Sequence, residues 1–345
     1  MSKLKAFLSR FSIGQILLLG ISLFFLMLFL VVSCCKQHMI SSLDDQQAYK
    51  RWDESGDTAQ VSAFFKKDIT VDERQIENFR HQLESAILEA AIVKENTSRL
   101  FVDAYSSLGK IAVSSEMGTV EAQAVGIGGD FFLFHQLDLV NGSYFSGNDL
   151  MKDSVILDEE AAWTLFGGSD VAGMCVTIGG VPHYVAGVVK RDTGRIAESA
   201  GLKDTVVYVS HETLSAYGTC EGISTYELLA PNPVKGFAKN LFIEKFGLNE
   251  TEMMVVENSA RFSAEALIPV ILDFGIRSMQ LSAIRYPYWE NIARGYEDIC
   301  AALLLLEVIC LVIPFVLVIT LLYKNRKKMK EQVIGLVKGM KRSRL

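Results

Sequence analysis

The sequence is poor in the motifs that carry chemistry. It has no Gly-x-x-x-x-Gly-Lys-Ser/Thr loop to cradle nucleotide phosphates, so the chain is not its own ATPase. It has no His-Glu-x-x-His and no Cys-x-x-Cys. Its five histidines (His38, His81, His135, His183 and His211) are scattered, which speaks against a zinc site. No Gly-x-Ser-x-Gly elbow marks a serine hydrolase. Asp158-Glu159-Glu160 offers carboxylates, but at the start of a short helix they suit the positive end of its dipole more simply than catalysis. Of six cysteines, Cys300 and Cys310 fall in one long apolar run, Cys34 and Cys35 close another, and only Cys175 and Cys220 lie between. Those two could pair outside a cell, though free thiols are the favoured reading. So placed, six cysteines exclude a disulfide scaffold.

Long apolar runs are what the chain does have. Phe11–Cys35 and Ile299–Tyr323 hold 25 residues each. About 20 apolar residues, at roughly 1.5 Å of helical rise each, cross a bilayer core. Backbone groups in lipid must be satisfied internally, which predicts two transmembrane helices, at 11–35 and 299–323. Lys3, Lys5 and Arg10 precede the first run without an acid among them. After the second, a strongly basic stretch stands against Glu331 alone. Basic flanks stay in the cytoplasm, so residues 1–10 and the tail 324–345 are placed there. Residues 36–298 carry 22 basic and 38 acidic side chains and are placed outside. The predicted location is the cell (cytoplasmic) membrane, crossed twice. An acidic outer domain argues against a nucleic-acid partner, and the basic tail faces an anionic inner leaflet. Sequons at Asn96, Asn141 and Asn249 recur too easily by chance to weigh.

The first run has a second reading. Basic residues, an apolar run and then Val31-Val32-Ser33-Cys34 resemble a bacterial lipoprotein signal, cleaved before a lipidated Cys34. The apolar stretch Ile13–Val32 exceeds the usual length of about 7–15 residues, so a retained helix is preferred. In the second run Glu307 stands out. It lies about eight residues in, roughly 12 Å deep. A carboxylate there costs on the order of 2.5–3.5 kcal/mol, so it should face protein or water. A polar contact with Gln15, Ser22 or a partner subunit is favoured over an uncoupled acid or a proton path. Pro314 is expected to kink this helix. The tail reads either as a solvated anchor or as an amphipathic helix with Val333, Leu336, Val337 and Met340 on one face.

Between the runs, Gln37–Asp57 is expected to extend the first helix before a loop, and Val61–Phe65 reads as a strand. Thr70-Val-Asp-Glu73 reads as a capping box with Thr70 as N-cap. It opens a helix to about Val93 in which Ile76, Phe79, Leu83, Ile87 and Ala90 recur at steps of three and four. Strands are predicted at Leu100–Tyr105, Lys110–Ser114 and Thr119–Ile127, with Gly126-Ile-Gly-Gly129 as a tight turn. A strand at Ser154–Leu157 leads into a helix at Asp158–Phe166, stopped by Gly167-Gly168. Cys175–Ile178 and Val181–Val189 flank Gly179-Gly180 as a hairpin. Further strands are expected at Thr205–Ser210, Ser224–Ala230 and Met253–Glu257. Helices are expected from Pro233 to about Phe246 and at Ser263–Phe274. Strands mixed with single helices, without a strict βαβ rhythm, indicate an α+β domain. Tyr286, Tyr288 and Trp289 read as interface anchors ahead of the second span.

At Val125–Val189 the sequence resembles a known family. GIGGDFFLFHQLDLVNGSYFSGNDL, followed by SVILDEEAAWTLFGGSDVAGMCVTIGGVPHYVAGVV, is similar to the extracytoplasmic core domain of MacB-type ABC transporter permeases. Matching positions include Phe131, Phe132, Leu139, Gly142, Phe145, Asp149, Leu165, Phe166, Gly167, Gly173, Gly180, Tyr184 and Gly187. Ser143 stands where the family usually has Arg. The order of helix, large outer domain and helix agrees too, as in FtsX-like permeases. Beyond the second helix, KKMKEQVIGLVKGM resembles the family's cytoplasmic segment near the partner ATPase, with Glu331, Ile334, Gly335 and Gly339 in similar places. The resemblance implies an outer domain of two α+β lobes between two transmembrane helices. It also implies an ABC ATPase in trans that supplies ATP hydrolysis, no cofactor in this chain, and export or extraction of a substrate. The family continues into a third and a fourth helix, so further permease helices or a partner copy are expected. The alternative is a membrane-anchored binding or sensor protein that does not transport.

Overall fold

The computed structural model describes residues 13–53, 56–90, 99–276 and 284–342, with side chains of the last helix described through 324 and at 326. In chain order, α1 is Ile13–Ser41, followed by a 3-10 turn at Asp44–Gln46 and α2 (Ala48–Trp52). Then come β1 (Thr58–Phe65), α3 (Glu73–Glu89), β2 (Val102–Ser114), β3 (Thr119–Gly129), α4 (Phe131–Phe134), β4 (Asp138–Gly142), β5 (Ser154–Asp158) and α5 (Glu159–Phe166). The chain continues with β6 (Cys175–Ile178), β7 (Val181–Lys190), α6 (Arg195–Ala200), β8 (Val206–Ser210), α7 (His211–Tyr217) and β9 (Thr219–Pro231). It closes with α8 (Phe237–Lys245), β10 (Met253–Glu257), a 3-10 turn at Asn258–Ala260, α9 (Ala264–Leu272) and α10 (Tyr288–Arg342).

Two compact units result. The apolar helices form one, and Ser41–Asp298 forms the other. In the second unit the ten strands among the described residues join one mixed sheet, in the order β10-β1-β9-β2-β3-β8-β5-β7-β4, with β6 bridging β2 and β7. Among the described strands the pairs β3–β8 and β5–β7 are parallel and the rest antiparallel. The α+β class holds, and the two halves share one sheet.

Each half has its own core. In one, α3 and α8 cover β1, β9 and β10, with Phe79, Tyr226, Phe242 and Phe246 packed together. In the other, Leu165 of α5 and Leu214 of α7 close over Val155, Val185 and Val209. A third cluster, on Phe131, Phe134, Tyr208 and Trp289, joins α4 to the start of α10. β1 is buried along its whole length because both its faces are covered. Side chains alternate along a strand. Ala59, Val61, Ala63 and Phe65 therefore enter the α3 core, while Gln60 and Ser62 point to the opposite face.

Several local expectations change in the structure. α3 begins later than the capping box suggested. Its N-cap is Asp72, whose carboxylate accepts from the Gln75 amide at 2.8 Å. Asp is a stronger cap than Thr, and it sits three residues before a free N–H. The buried stripe Ile76, Phe79, Leu83 and Ile87 is as the spacing predicted. Val102–Ser114 is one long strand rather than two, with register shifts against β9. Gly126–Gly129 is no turn; it lies in β3. A Cβ on Gly128 would stand 2.0 Å from the Tyr105 ring, so the glycine admits that ring rather than a bend. The Gly179-Gly180 hairpin is as expected, with both residues at positive φ, 59° and 83°. Gly167, at φ 76°, ends α5. Tyr286 and Trp289 are core residues, 2% exposed each, not interface anchors. α10 begins at Tyr288, so these rings are packed before the apolar run starts. α8 starts at Phe237, after Pro233, and α9 spans Ala264–Leu272 with Ser263 as its cap. α2, α4, α6, α7 and β4 went unpredicted; all are short, and α1 ends at Ser41 rather than running on through 57.

Candidate functional site

Among the described residues no group of His, Cys, Asp and Glu is placed to hold a metal ion. One pair has the look of a nucleophile and base: Ser107 Oγ lies 2.8 Å from His211 Nδ1. Burial holds the His211 pKa below its ordinary value. But Ser107 is wholly buried, so a substrate carbonyl has no approach to its oxygen. The pair ties β2 to α7 and carries no hydrolytic site.

The concentrated chemistry is a buried polar ring on the sheet face opposite α3. His135 follows α4 and is 1% exposed. Its Nδ1 lies 3.0 Å from Asp45 Oδ1, and its Nε2 meets Glu227 Oε2. Ionised carboxylates only accept hydrogen bonds, so both ring nitrogens must donate and the ring is an imidazolium. Burial opposes that charge, but Glu227 and Asp45 outweigh it and push the His135 pKa up to about 9. The ring packs, tilted, against both Phe131 and Trp289, with centroids at 4.5 and 4.4 Å, and those two rings also touch each other at 5.6 Å. Aromatic faces attract a cation there. Arg51, on α2, donates to the carbonyls of Leu133 and Phe134 at 2.8 and 2.9 Å and fixes the turn that carries His135.

From Glu227 the ring continues. Ser62 Oγ donates to Glu227 Oε1 at 2.9 Å, and Asn258 Nδ2 donates to Ser62 at 2.7 Å. Asn258 Oδ1 accepts from Arg261 Nη1 at 3.3 Å. Arg261 grips Glu290 with two bonds, 2.7 and 2.6 Å, and reaches Glu297 through Nε. Glu290 adjoins Trp289 on α10, and Trp289 packs against His135 in a tilted contact, which closes the circuit. Ser62, Glu227, Asn258, Arg261 and Glu290 are all at most 4% exposed. Breaking such a buried pair costs about 3–5 kcal/mol, because the partner is left as a bare charge. The arrangement can hold four segments in one geometry: Asp44–Gln46, His135, the β1–β9–Asn258 face, and the start of α10.

Beside the ring lies a cleft of about 210 Å³, lined by Asp44, Asp45, Asp138, Asp192, Tyr208 and Tyr288 among others. The Tyr208 and Tyr288 hydroxyls meet at 2.7 Å. Burial, then Asp45 and Asp138, hold the Asp192 pKa above its ordinary value.

In the other unit, Glu307 on α10 pairs with Lys36 on α1. Both are largely buried, and Glu307 Oε1 has no hydrogen-bond partner among the described residues. Ser22, Val32, Cys300, Ala301 and Cys310 are buried as well. Pro314 sits inside α10. Cys34 is an exposed thiol on α1, and Cys175 and Cys220 form no disulfide. The backbone of Glu331, Ile334, Gly335 and Gly339 continues α10, and their side chains lie outside the described residues. So do Lys3, Lys5, Arg10 and the sequon at Asn96.

Sequence reasoning passed over His135, Asp45, Glu227, Arg261 and Glu290. One signal was present: Glu227 interrupts the apolar strand text TYELLA, and a charge in a buried strand needs a partner. Its partners are 92 and 165 residues away, so nothing local names them.

The fold defines a class: a mixed-sheet domain between two helices long and apolar enough to cross a membrane. The model of the MacB-like periplasmic core domain matches residues 16–234, and the chain belongs to that family. It is 37% identical over 78 residues to the macrolide export ATP-binding/permease protein MacB of Chromobacterium violaceum, covering 22% of this chain and 12% of that protein. The macrolide export ATP-binding/permease protein MacB 2 of Aeromonas hydrophila is 32% identical over 78 residues, again 22% and 12%. The matched stretch is thus about an eighth of these relatives' length. Among solved structures, the periplasmic region of MacB from Actinobacillus actinomycetemcomitans aligns with TM-score 0.41 and 14% identity, over 64% of this chain and 94% of that one. The extracellular domain of the transporter YknZ from Gram-positive bacteria aligns with TM-score 0.37 and 17% identity, over 57% and 99%.

Proposed function

We propose that this chain is the membrane component of an ABC transporter, working with an ATPase on a separate polypeptide to export or extract a substrate at the outer side. The observation that carries this reading is the family match, which begins inside α1 and runs through most of the outer domain. Both termini lie in the cytoplasm, and Ser41–Asp298 lies outside. The α10 segment with Glu331, Ile334, Gly335 and Gly339 is the contact for the ATPase. Further permease helices, or a second copy, complete the membrane part. The buried ring supports a coupling role, because it ties the residues after α1 and the start of α10 to the core motif around His135.

The test is purification of the full chain from its native membrane in mild detergent, with mass spectrometry of what accompanies it. An ABC ATPase should be recovered, and deletion of residues 327–345 should remove it while leaving the thermal midpoint of the outer domain unchanged. Recovery of a stable chain with no ATPase would overturn this reading in favour of a membrane-anchored binding protein.

A further inference from the structure

The polar ring centres on an imidazolium whose two N–H groups reach carboxylates on two different elements. We propose that His135 is a proton-operated clasp, which in its doubly protonated form fastens the Asp44–Gln46 turn and the start of α10 onto the core and releases them when it loses a proton. This holds whether or not the chain works with an ATPase.

The geometry sets the logic. The imidazolium offers two N–H groups to two carboxylates on different elements, Asp45 in the turn after α1 and Glu227 on β9. A neutral imidazole has one N–H, so one carboxylate must lose its donor. Glu227 is 4% exposed at its side chain and also holds Ser62, whereas Asp45 is 30% exposed and borders the acidic cleft. Asp45 is therefore the one that lets go, toward water. The same step removes the charge that draws the Trp289 and Phe131 faces onto the ring.

The charged groups around His135 reinforce this choice. Glu227 faces it from β9 and Asp45 from the turn. Arg51 of α2 donates to the carbonyls of Leu133, Phe134 and Asp44 and faces Asp45 and Asp44 as a charge, and Lys190 and Arg191 line the same cleft. Asp44, Asp138 and Asp192 lie beside Asp45 along the cleft. On the α10 side, Glu290 and Glu297 are already taken by Arg261. Asp44, Asp45, Asp138, Asp158 and Asp192 still outnumber Lys190 and Arg191 along the cleft, so neutral His135 adds to the negative surplus there. The ordinary value of 6.5 is raised to about 9, so the stabilisation is full below about 6.5 and is lost as pH rises through 9.

The test uses the full chain in nanodiscs with 13C-labelled histidine, titrated by NMR from pH 5 to 10.5. The His135 ring, assigned by its loss in His135→Gln, should titrate near 9. Asp45→Asn should bring that midpoint down toward 6.5. Hydrogen exchange at matched intrinsic rates should show protection of residues 42–47 and 288–292 falling at least tenfold between pH 7 and 10, with the α3 core unchanged. Should His135→Gln fail to fold, the Asp45→Asn shift assigns the resonance instead. A ring that titrates at or below 6.5, or protection that does not change with pH, overturns the clasp.

Discussion

Glu307 shows how one side chain sets the demands on its surroundings. A lone carboxylate in an apolar helix is expensive, and Lys36 on α1 offsets that cost. Glu307→Leu or Lys36→Leu strands one charge. Each should lower the stability of the purified chain by on the order of 2.5–3.5 kcal/mol, read by chemical denaturation in detergent. The exchange Lys36→Glu with Glu307→Lys should recover most of it. Equal losses in the exchange and the single variants would sink the pairing. Arg261 poses the same problem with the signs reversed: one guanidinium serves two buried carboxylates. His135 adds a dependence on pH, because its own pKa is pushed up to about 9.

At the scale of elements, most helix and strand text could be read directly. Apolar steps of three and four fixed the buried face of α3, and the Gly179-Gly180 pair fixed the β6–β7 hairpin. The cap of α3 went wrong by two residues, because Thr70 and Asp72 both have capping side chains and only backbone geometry chooses. Asp72→Ala should cost about 1 kcal/mol and Thr70→Ala close to nothing, measured as thermal midpoints of the two variants. The reverse order would restore the capping box. Gly128 was misread for a related reason. Glycine marks turns, but here it marks the close approach of the Tyr105 ring from the neighbouring strand. Trp289 was misplaced because nearness in sequence to an apolar run was taken for nearness to lipid.

For the whole molecule the open quantity is topology. Cys175 is exposed on the sheet domain, which makes it a native reporter. In a variant that keeps Cys175 alone, a membrane-impermeant maleimide should label intact cells. A variant whose only cysteine comes from Leu345→Cys should be labelled only after permeabilisation. Labelling of the second in intact cells would place the tail outside and remove the proposed ATPase contact. A lipidated Cys34 makes its own prediction: a signal-peptidase block would change the mature mass, and a retained α1 would not.

The sequence by itself determined the two apolar helices, the acidic domain between them and the α+β class. These follow from composition and from periods of two and 3.6 residues, which are local properties of the chain. It also determined the family, because the motif around Phe131–Phe132 and Gly179-Gly180 is contiguous in the chain. Only the tertiary structure decided that one ten-stranded sheet joins both halves, and that Glu307 meets Lys36. The same holds for the ring, in which Asp45, His135, Glu227, Ser62, Asn258, Arg261 and Glu290 converge. Their hydrogen bonds span up to 196 residues of chain. No local period encodes such a meeting. It arises because strand alternation sends Ser62 and Glu227 to one face of the sheet, and burial then requires every charge on that face to find a partner.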